Sequence, residues 1–131
     1  MEKVVGIGGV FVRAKDEEAL ARWYGEHLGL DINELFWGAV FPLTTPDAPA
    51  GSYGIWGSFP EDSEYFGSKD NMFMVNFRVA DLDAMLAQLR SAGCVVDDKV
   101  ERSEYGQFGW VTDPEGNRVE LWQPPDEMPA A

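Results

Sequence analysis

The sequence predicts an α+β fold in which two βαβββ modules form curved mixed sheets around a concave pocket. Three observations predict it: a repeat at a constant offset, alternating apolar residues at the start of each copy, and helical apolar spacing after them. Residues 10–16 (VFVRAKD) match residues 75–81 (VNFRVAD) at an offset of 65 between Val10 and Val75. The same offset pairs later turn formers: Pro49 with Pro114, and Gly51 with Gly116.

Each copy begins with a strand, followed by a helix that an aspartate caps. Asp16 and Asp81 precede the two helical stretches and are expected to accept hydrogen bonds from the first helical turn. Gly29 and Gly93 are expected to end the helices, because glycine adopts positive φ readily. The apolar stripes predicted to be buried are Leu20, Trp23, Tyr24 and Leu28 in the first helix, and Leu82, Met85, Leu86 and Leu89 in the second.

Shorter β-like segments and turns complete each copy. The further predicted strands are 35–43, 52–59, 95–100, 108–112 and 118–122, with turns at 46–51 and 113–117. We therefore predict one domain over 1–131, made of module one (1–59), a linker (60–71), module two (72–123) and a loose tail (124–131).

Composition limits the possible partners. The chain has 131 residues, 45% of them hydrophobic, and a net charge of −13 from 23 acidic and 10 basic side chains. So little positive charge argues against nucleic acid, whereas acidity lining a cleft would attract a cationic ligand. The single Cys94 cannot form an internal disulfide, and its apolar neighbours predict that it is buried. No targeting segment or membrane-length apolar run is visible, so we expect a cytoplasmic protein and no membrane partner.

Strand alternation predicts which side chains face the pocket. Residues of apolar parity, such as Val75, Phe77 and Val79, are expected under a helix, which leaves the other parity on the concave face. The concave face is then expected to carry Gly9, Phe11, Arg13, Met74, Asn76, Arg78, Arg118, Glu120 and Trp122. A further candidate for a cavity wall is Trp110, along with Trp37 and Trp56. Such a mixture suits an organic molecule with a few polar groups.

A structural role for the same residues stays open. Arg13 and Arg78 occupy equivalent repeat positions, so they are also candidates for ion pairs that serve the fold. Trp110 is equally a candidate for core packing.

Two segments resemble the vicinal oxygen chelate superfamily, which includes glyoxalases, extradiol dioxygenases and bleomycin-resistance proteins. They are residues 77–93 (FRVADLDAMLAQLRSAG) and 113–124 (DPEGNRVELWQP). The resemblance spans nearly the whole chain and implies the paired-module fold and a homodimer, with modules packed within or exchanged between chains. It implies no single activity, because this scaffold carries unrelated reactions.

The resemblance also implies where a catalytic member holds a divalent metal, namely at a His in the first strand and a Glu in the last strand of each module. The His positions, seven residues before each capping aspartate, fall on Gly9 and Met74. The Glu positions fall on Ile55 and Glu120. A catalytic metal needs about three protein ligands, so we expect no metal and no other cofactor. Glu120 stays as the candidate catalytic residue.

Three functions remain open. The leading one is a metal-independent small-molecule binding protein whose ligand contacts come from Phe11, Arg13, Asn76, Arg78, Trp110, Arg118, Glu120 and Trp122. The second is a glyoxalase-like lyase or a dioxygenase with unusual ligands, for which the available loop acids are Asp47, Glu61, Asp62 and Glu64. The third is a resistance protein that sequesters a cationic drug, which the acidity and the aromatic content favour.

Overall fold

The computed structural model of the protein describes residues 1–42 and 53–126. Within these residues the chain forms two helices and eight strands. Their bounds are β1 (Val4–Ala14), α1 (Glu17–Leu28), β2 (Gly38–Pro42), β3 (Tyr53–Pro60), β4 (Phe73–Val79), α2 (Leu82–Ser91), β5 (Val95–Val96), β6 (Glu101–Ser103), β7 (Gly106–Thr112) and β8 (Arg118–Gln123). No helix in these two ranges is long and apolar enough to cross a membrane.

The strands form one curved, open mixed sheet, in the order β2-β3-β1-β4-β8-β7-β5, with β6 paired to β7. At its centre β1 and β4 run antiparallel, and each has a parallel partner, β3 and β8 respectively. The α+β fold predicted from the sequence is confirmed, with both halves joined in a single sheet. The origin of the two halves by duplication stays a prediction.

Helix α2 packs as the sequence predicts. Asp81 accepts a hydrogen bond from the Ala84 amide at 3.0 Å, and Leu82, Met85 and Leu86 are buried against Val79 and Leu121 of the sheet. Their partners Phe77, Val111 and Val119 lie on the same side of the sheet. The other parity of β4 and β8 is thereby directed to the concave face.

Helix α1 is capped as predicted, but its buried stripe was predicted wrongly. Asp16 accepts from the Ala19 amide at 2.9 Å, and Gly29 ends the helix with φ of 75°. The buried residue is Ala21, whereas Trp23 and Leu28 are 50% and 59% exposed. The small Ala21 side chain faces the sheet where α1 contacts β3, and Trp23 lies on the exposed side of the helix.

The strand limits differ from the prediction where turns intervene. Strand β2 begins at Gly38 rather than at 35, because Trp37 has a φ of 52° and Asn33 bridges to Gly38. The segment 95–100 contains only a two-residue strand, and β6 at Glu101–Ser103 was not predicted. The turn at 113–117 is confirmed by the Asp113 amide, which donates to the Asn117 carbonyl at 2.9 Å. The turn at 46–51 and the tail beyond 126 lie outside the described residues.

The predicted linker packs against the sheet, whereas Cys94 does not. Phe66 is fully buried against Phe11, Met74 and Trp110, so the segment between β3 and β4 contributes to the core. The prediction that Cys94 is buried was wrong. It directly follows Gly93, whose φ of 82° ends the α2 segment and turns the chain outward.

Candidate functional site

A cavity of about 510 Å³ opens on the concave face of the sheet, and we call it the concave cavity. Its lining comes from the central strands, from the segment after α1 and from the β6–β7 hairpin. The lining residues are Gly8, Phe11, Asn33, Leu35, Phe36, Val40, Tyr53, Ile55, Tyr65, Asn76, Glu101, Tyr105, Phe108, Glu120 and Trp122. Phe11, Asn76, Glu120 and Trp122, which the strand alternation directs to this face, therefore meet in one cavity.

The Glu120 carboxyl group lies at the floor of the concave cavity and is 1% exposed. Strand pairing places Asn76 and Trp110 on either side of it, on β4 and β7. Asn76 Nδ2 donates to Oε1 at 2.6 Å, and Trp110 Nε1 donates to Oε2 at 3.0 Å. The Tyr65 hydroxyl also donates to Oε2. Three neutral donors thus hold both oxygens of a carboxyl group that no cation neutralises.

This environment shifts the proton affinity of two groups. Burial raises the pKa of Glu120 above its ordinary value, and the bonds from Tyr65, Asn76 and Trp110 offset only part of that effect. Burial, followed by the nearby Glu120 charge, raises the pKa of Tyr65, which therefore stays a phenol. The pair supplies a weak acid and a permanent donor at the floor of the cavity.

Asn76 also offers a free acceptor. It is buried, and its Oδ1 atom has no hydrogen-bond partner among the described residues. Oδ1 lies over Gly8, where a Cβ atom would overlap it and would come within 2.9 Å of Trp122 Cε3. A β-bulge between Ile7 and Gly9 brings Gly8 to the concave side. Unpaired buried acceptors are rare, and this one is packed against Gly8 at the edge of the cavity floor.

Aromatic rings form the walls above this floor. Phe108 and Trp122 are stacked with centroids 6.1 Å apart, and Tyr53 lies 6.2 Å from Trp122. Trp122 Nε1 donates to the Tyr105 carbonyl at 2.8 Å, which fixes the indole plane. Sequence reasoning missed Tyr65 and Tyr105, because strand parity says nothing about side chains from turns and connecting segments. It also missed Tyr53, although Tyr53 has the same parity as Ile55 on β3 and alternation along that strand could have found it.

Four of the predicted ligand contacts lie outside the lining of the concave cavity. Arg118 bonds Asp97 at 2.6 Å and the Tyr65 carbonyl at 2.9 Å. Arg13 bonds three backbone carbonyls of the connecting segment. Trp110 lies beneath Glu120, and Arg78 lines a different cavity. Arg13 and Trp110 therefore have the structural contacts that the sequence left open for them, and Arg118 has a structural ion pair that the sequence did not predict.

The residues at the superfamily's metal positions do not fit a divalent ion. A Cβ atom on Gly9 would lie 2.5 Å from the Ile55 carbonyl oxygen, so β3 occupies the space that a histidine needs. Met74 is buried in the apolar cluster with Phe66. Both Glu120 oxygens already accept hydrogen bonds. Within 1–42 and 53–126 no group of three or more His, Cys, Asp or Glu side chains is arranged to hold a metal, while Asp47 lies outside these residues.

Comparison with known families decides the family of this chain. A family model described as a glyoxalase-like domain matches residues 9–122. The chain belongs to this glyoxalase-like family. The match covers both halves of the sheet, and the predicted resemblance to the vicinal oxygen chelate superfamily is confirmed. No curated protein sequence matches this glyoxalase-like protein significantly.

Solved structures show the same fold at low sequence identity. Methylmalonyl-CoA epimerase from Mycobacterium tuberculosis is 24% identical, with 93% of this chain and 89% of that chain covered and a TM-score of 0.63. A methylmalonyl-CoA epimerase in complex with methylmalonyl-CoA and NH4+ is 20% identical, with coverage of 97% and 100% and a TM-score of 0.67. A glyoxalase/bleomycin resistance protein/dioxygenase superfamily member from Vibrio splendidus 12B01 is 14% identical, with coverage of 94% and 99% and a TM-score of 0.56.

Replacing Glu120 with Gln removes a buried acid, so we expect the difference in stability between this variant and the parent protein to depend on pH. Because folding raises the pKa of Glu120, the folded state holds more protons than the unfolded state between the ordinary and the raised value. The free energy of unfolding of the parent protein therefore falls as the pH rises through that window and stays reduced above it. Gln does not ionise, so the variant lacks this pH dependence.

Urea unfolding from about pH 4 to pH 8 tests this. The stability of Glu120→Gln relative to the parent should rise with pH and then level off. The exposed Glu104→Gln is the matched control and should show no such growth. A stability difference between Glu120→Gln and the parent that is constant across the range contradicts the raised pKa.

Proposed function

We propose that this protein binds a small neutral or cationic organic molecule in the concave cavity without a resident divalent metal. The observation that carries the proposal is the chemistry of the lining. Seven of its residues are aromatic, and its charged side chains are two glutamates, Glu101 and Glu120. Aromatic faces and carboxylates stabilise organic ammonium groups, and flat apolar ligands stack on the same rings.

Anionic ligands find no support in this lining. No Lys, Arg or His lines the concave cavity among the described residues, and segments 43–52 and 127–131 contain none in their sequence. A carboxylate or phosphate placed here would meet Glu101 and the aromatic π faces with no compensating cation. We therefore do not propose methylmalonyl-CoA, which is named for a similar structure, as the ligand of this cavity.

The unpaired acceptor on Asn76 favours a ligand that carries a hydrogen-bond donor. Asn76 Oδ1 and the Glu120 carboxyl lie side by side, so a ligand hydroxyl, amide or ammonium group donates to this floor while its apolar body contacts the rings. Leaving a buried acceptor unpaired costs about 1–3 kcal/mol. A ligand donor that displaced the Gly8 contact and reached Oδ1 would recover that cost.

An enzymatic version of the proposal rests on Glu120. Its raised pKa and its position at the floor suit a general acid or base that acts on the bound molecule. The lyase and dioxygenase alternatives that depend on a metal have no support from the residues at the metal positions. The drug-resistance alternative is the case in which the bound molecule is a toxic cation, and its binding weakens as salt is raised.

We also propose a homodimer in the cytoplasm. The convex side of the central strands exposes apolar residues between the two helices, with Ile7 58% and Phe73 63% exposed. Val10, Val12 and Val75 continue this surface at half-buried positions. Such an apolar surface supports packing against a second copy of the chain.

A matched series of probes tests the ligand class. We expect benzylamine and benzyl alcohol to shift the indole N–H resonances of the protein in NMR titrations with chelator present, whereas benzoate leaves them unchanged. Val40→Trp should abolish these shifts by filling the cavity, and Val95→Trp, on an exposed strand outside the lining, should preserve them. Preferred binding of benzoate, or equal binding by Val40→Trp, contradicts the proposal.

A further inference from the structure

A second cavity, of about 560 Å³, lies where the start of β1 meets the ends of β4 and β8. We call it the Arg78 cavity. Its charged lining residues are Lys3, Arg78 and Asp126, beside Gln123 and Pro124. It lies outside the aromatic lining described above, and the proposed ligand of the concave cavity does not use it.

Arg78 is a buried cation without a counter-charge. It is 5% exposed, and its Nε atom has no hydrogen-bond partner. Within 1–42 and 53–126, no hydrogen bond or ion pair of its guanidinium group is found, and Asp126 is not within ion-pair distance. A buried charge left unpaired is strongly unfavourable. The arginine therefore needs a partner that the described chain does not supply.

Other basic side chains of this acidic protein are treated differently. Four of them have carboxylate partners: Arg22 with Glu18 and Glu34, Lys99 with Glu101, Arg102 with Asp83, and Arg118 with Asp97. Arg13, which is equally buried, donates to three backbone carbonyls. Arg90 donates to the Asp97 carbonyl. Arg78 differs from the other five arginines because the described residues give its guanidinium group neither a carboxylate nor a carbonyl partner.

The sequence makes room for this guanidinium group. Gly6 pairs with Arg78 across β1 and β4, and a Cβ atom at Gly6 would overlap Nη2 and lie 2.9 Å from Cζ. The absent side chain lets the guanidinium group lie against the β1 backbone. Arg78 therefore reaches the wall of the cavity beside the β1 backbone, in space that a larger residue at position 6 would occupy.

We propose that the Arg78 cavity binds the oxyanion group of a small molecule, a carboxylate or a phosphate, on Arg78 with support from Lys3. The planar guanidinium group donates two parallel hydrogen bonds to such a group, and the Lys3 ammonium group adds a point charge. Val5 and Pro124 give the cavity an apolar side, which suits an organic anion. The Arg78 cavity would thus bind anionic groups, which the lining of the concave cavity does not favour.

Calorimetric titration of the full chain with sodium phosphate and with sodium propionate, against sodium chloride at matched ionic strength, tests the proposal. We expect saturable binding of at least one oxyanion, and the better probe identifies the class. Arg78→Gln should weaken that binding at least about tenfold, the loss expected for a charged hydrogen bond. The variant itself should unfold at an equal or higher temperature than the parent, because its buried charge is gone.

Two controls separate this site from general charge effects. Arg102→Gln removes an exposed arginine and should leave binding unchanged. Lys15→Gln removes an exposed lysine outside the lining and should also leave it unchanged. Absence of saturable phosphate and propionate binding overturns the proposal, as does equal binding by Arg78→Gln. A failure of oxyanion binding together with a mass change from dimer to monomer in Arg78→Gln also overturns it, in favour of a contact with a second copy. None of these outcomes bears on benzylamine binding in the concave cavity.

Discussion

Replacing Arg13 with Met is expected to lower the free energy of unfolding by about 3–5 kcal/mol. The guanidinium group donates to the carbonyls of Asn71 and Glu61 at 2.7 Å and of Ser68 at 3.2 Å. Met fills much of the same volume but leaves these acceptors without a partner. The loss also removes the contact with the Phe66 ring, whose centroid lies 4.8 Å from Cζ.

Urea unfolding measures the effect, and Arg13→Lys is the conservative control. Lys keeps the charge but cannot reach three separate carbonyls with fixed planar geometry. We expect an intermediate loss for Lys and faster proteolysis of segment 60–71 in both variants. A loss below about 1 kcal/mol for Arg13→Met, the level of an ordinary surface change, would show that Arg13 does not hold this segment.

The same arginine is connected to the candidate site through Tyr65. The segment that Arg13 anchors carries Tyr65, whose hydroxyl donates to Glu120. Loosening the segment should therefore weaken probe binding in the concave cavity as well as stability. Arg13 thus does not line the concave cavity, but it holds the segment that carries Tyr65 in place.

Introducing the family's histidine at Gly9 is expected to destabilise the protein by about 3 kcal/mol, the upper end of the usual range for overpacking. The cause is the approach of β3, since even a Cβ atom would lie 2.5 Å from the Ile55 carbonyl oxygen. Thermal unfolding with and without zinc measures the effect. Zinc should not recover the lost stability, even in a Gly9→His, Met74→His double variant.

Ala87→His, on the exposed face of α2, is the control for a new histidine and should cost less than about 1 kcal/mol. A Gly9→His variant that is as stable as the parent, or that zinc stabilises selectively, would contradict the claim that the backbone has closed this position.

The sequence predicted strands β4 and β8, the inner strands of the second half, best. Phe77 and Val79 lie under the helix and Asn76 lies on the other face, as the two-residue period of a strand predicts. The α2 stripe followed for the same reason, because the spacing of Leu82, Met85 and Leu86 matches a helix face. Local periodicity determines both features.

The features that the sequence did not predict depend on tertiary contacts. The bulge that brings Gly8 under Asn76 leaves no periodic signal, although the glycines at Gly6 and Gly8 mark where other side chains need room. Tyr65 lies in a polar stretch that reads as a linker, yet it reaches Glu120 because Arg13 draws that stretch onto the sheet. Helix α1 buries Ala21 and not Trp23. The spacing of apolar residues along the helix does not determine which of the two faces the sheet.

Calorimetric titration of chelator-treated protein with Zn, Mn, Ni and Fe(II) tests the central claim most directly, namely that this glyoxalase-like cavity works without a resident metal. With Gly9, Ile55 and Met74 at the metal positions and Glu120 held by three donors, we expect no tight binding at one equivalent per chain. Tight stoichiometric binding of any of these ions that Glu120→Gln abolishes would contradict the account.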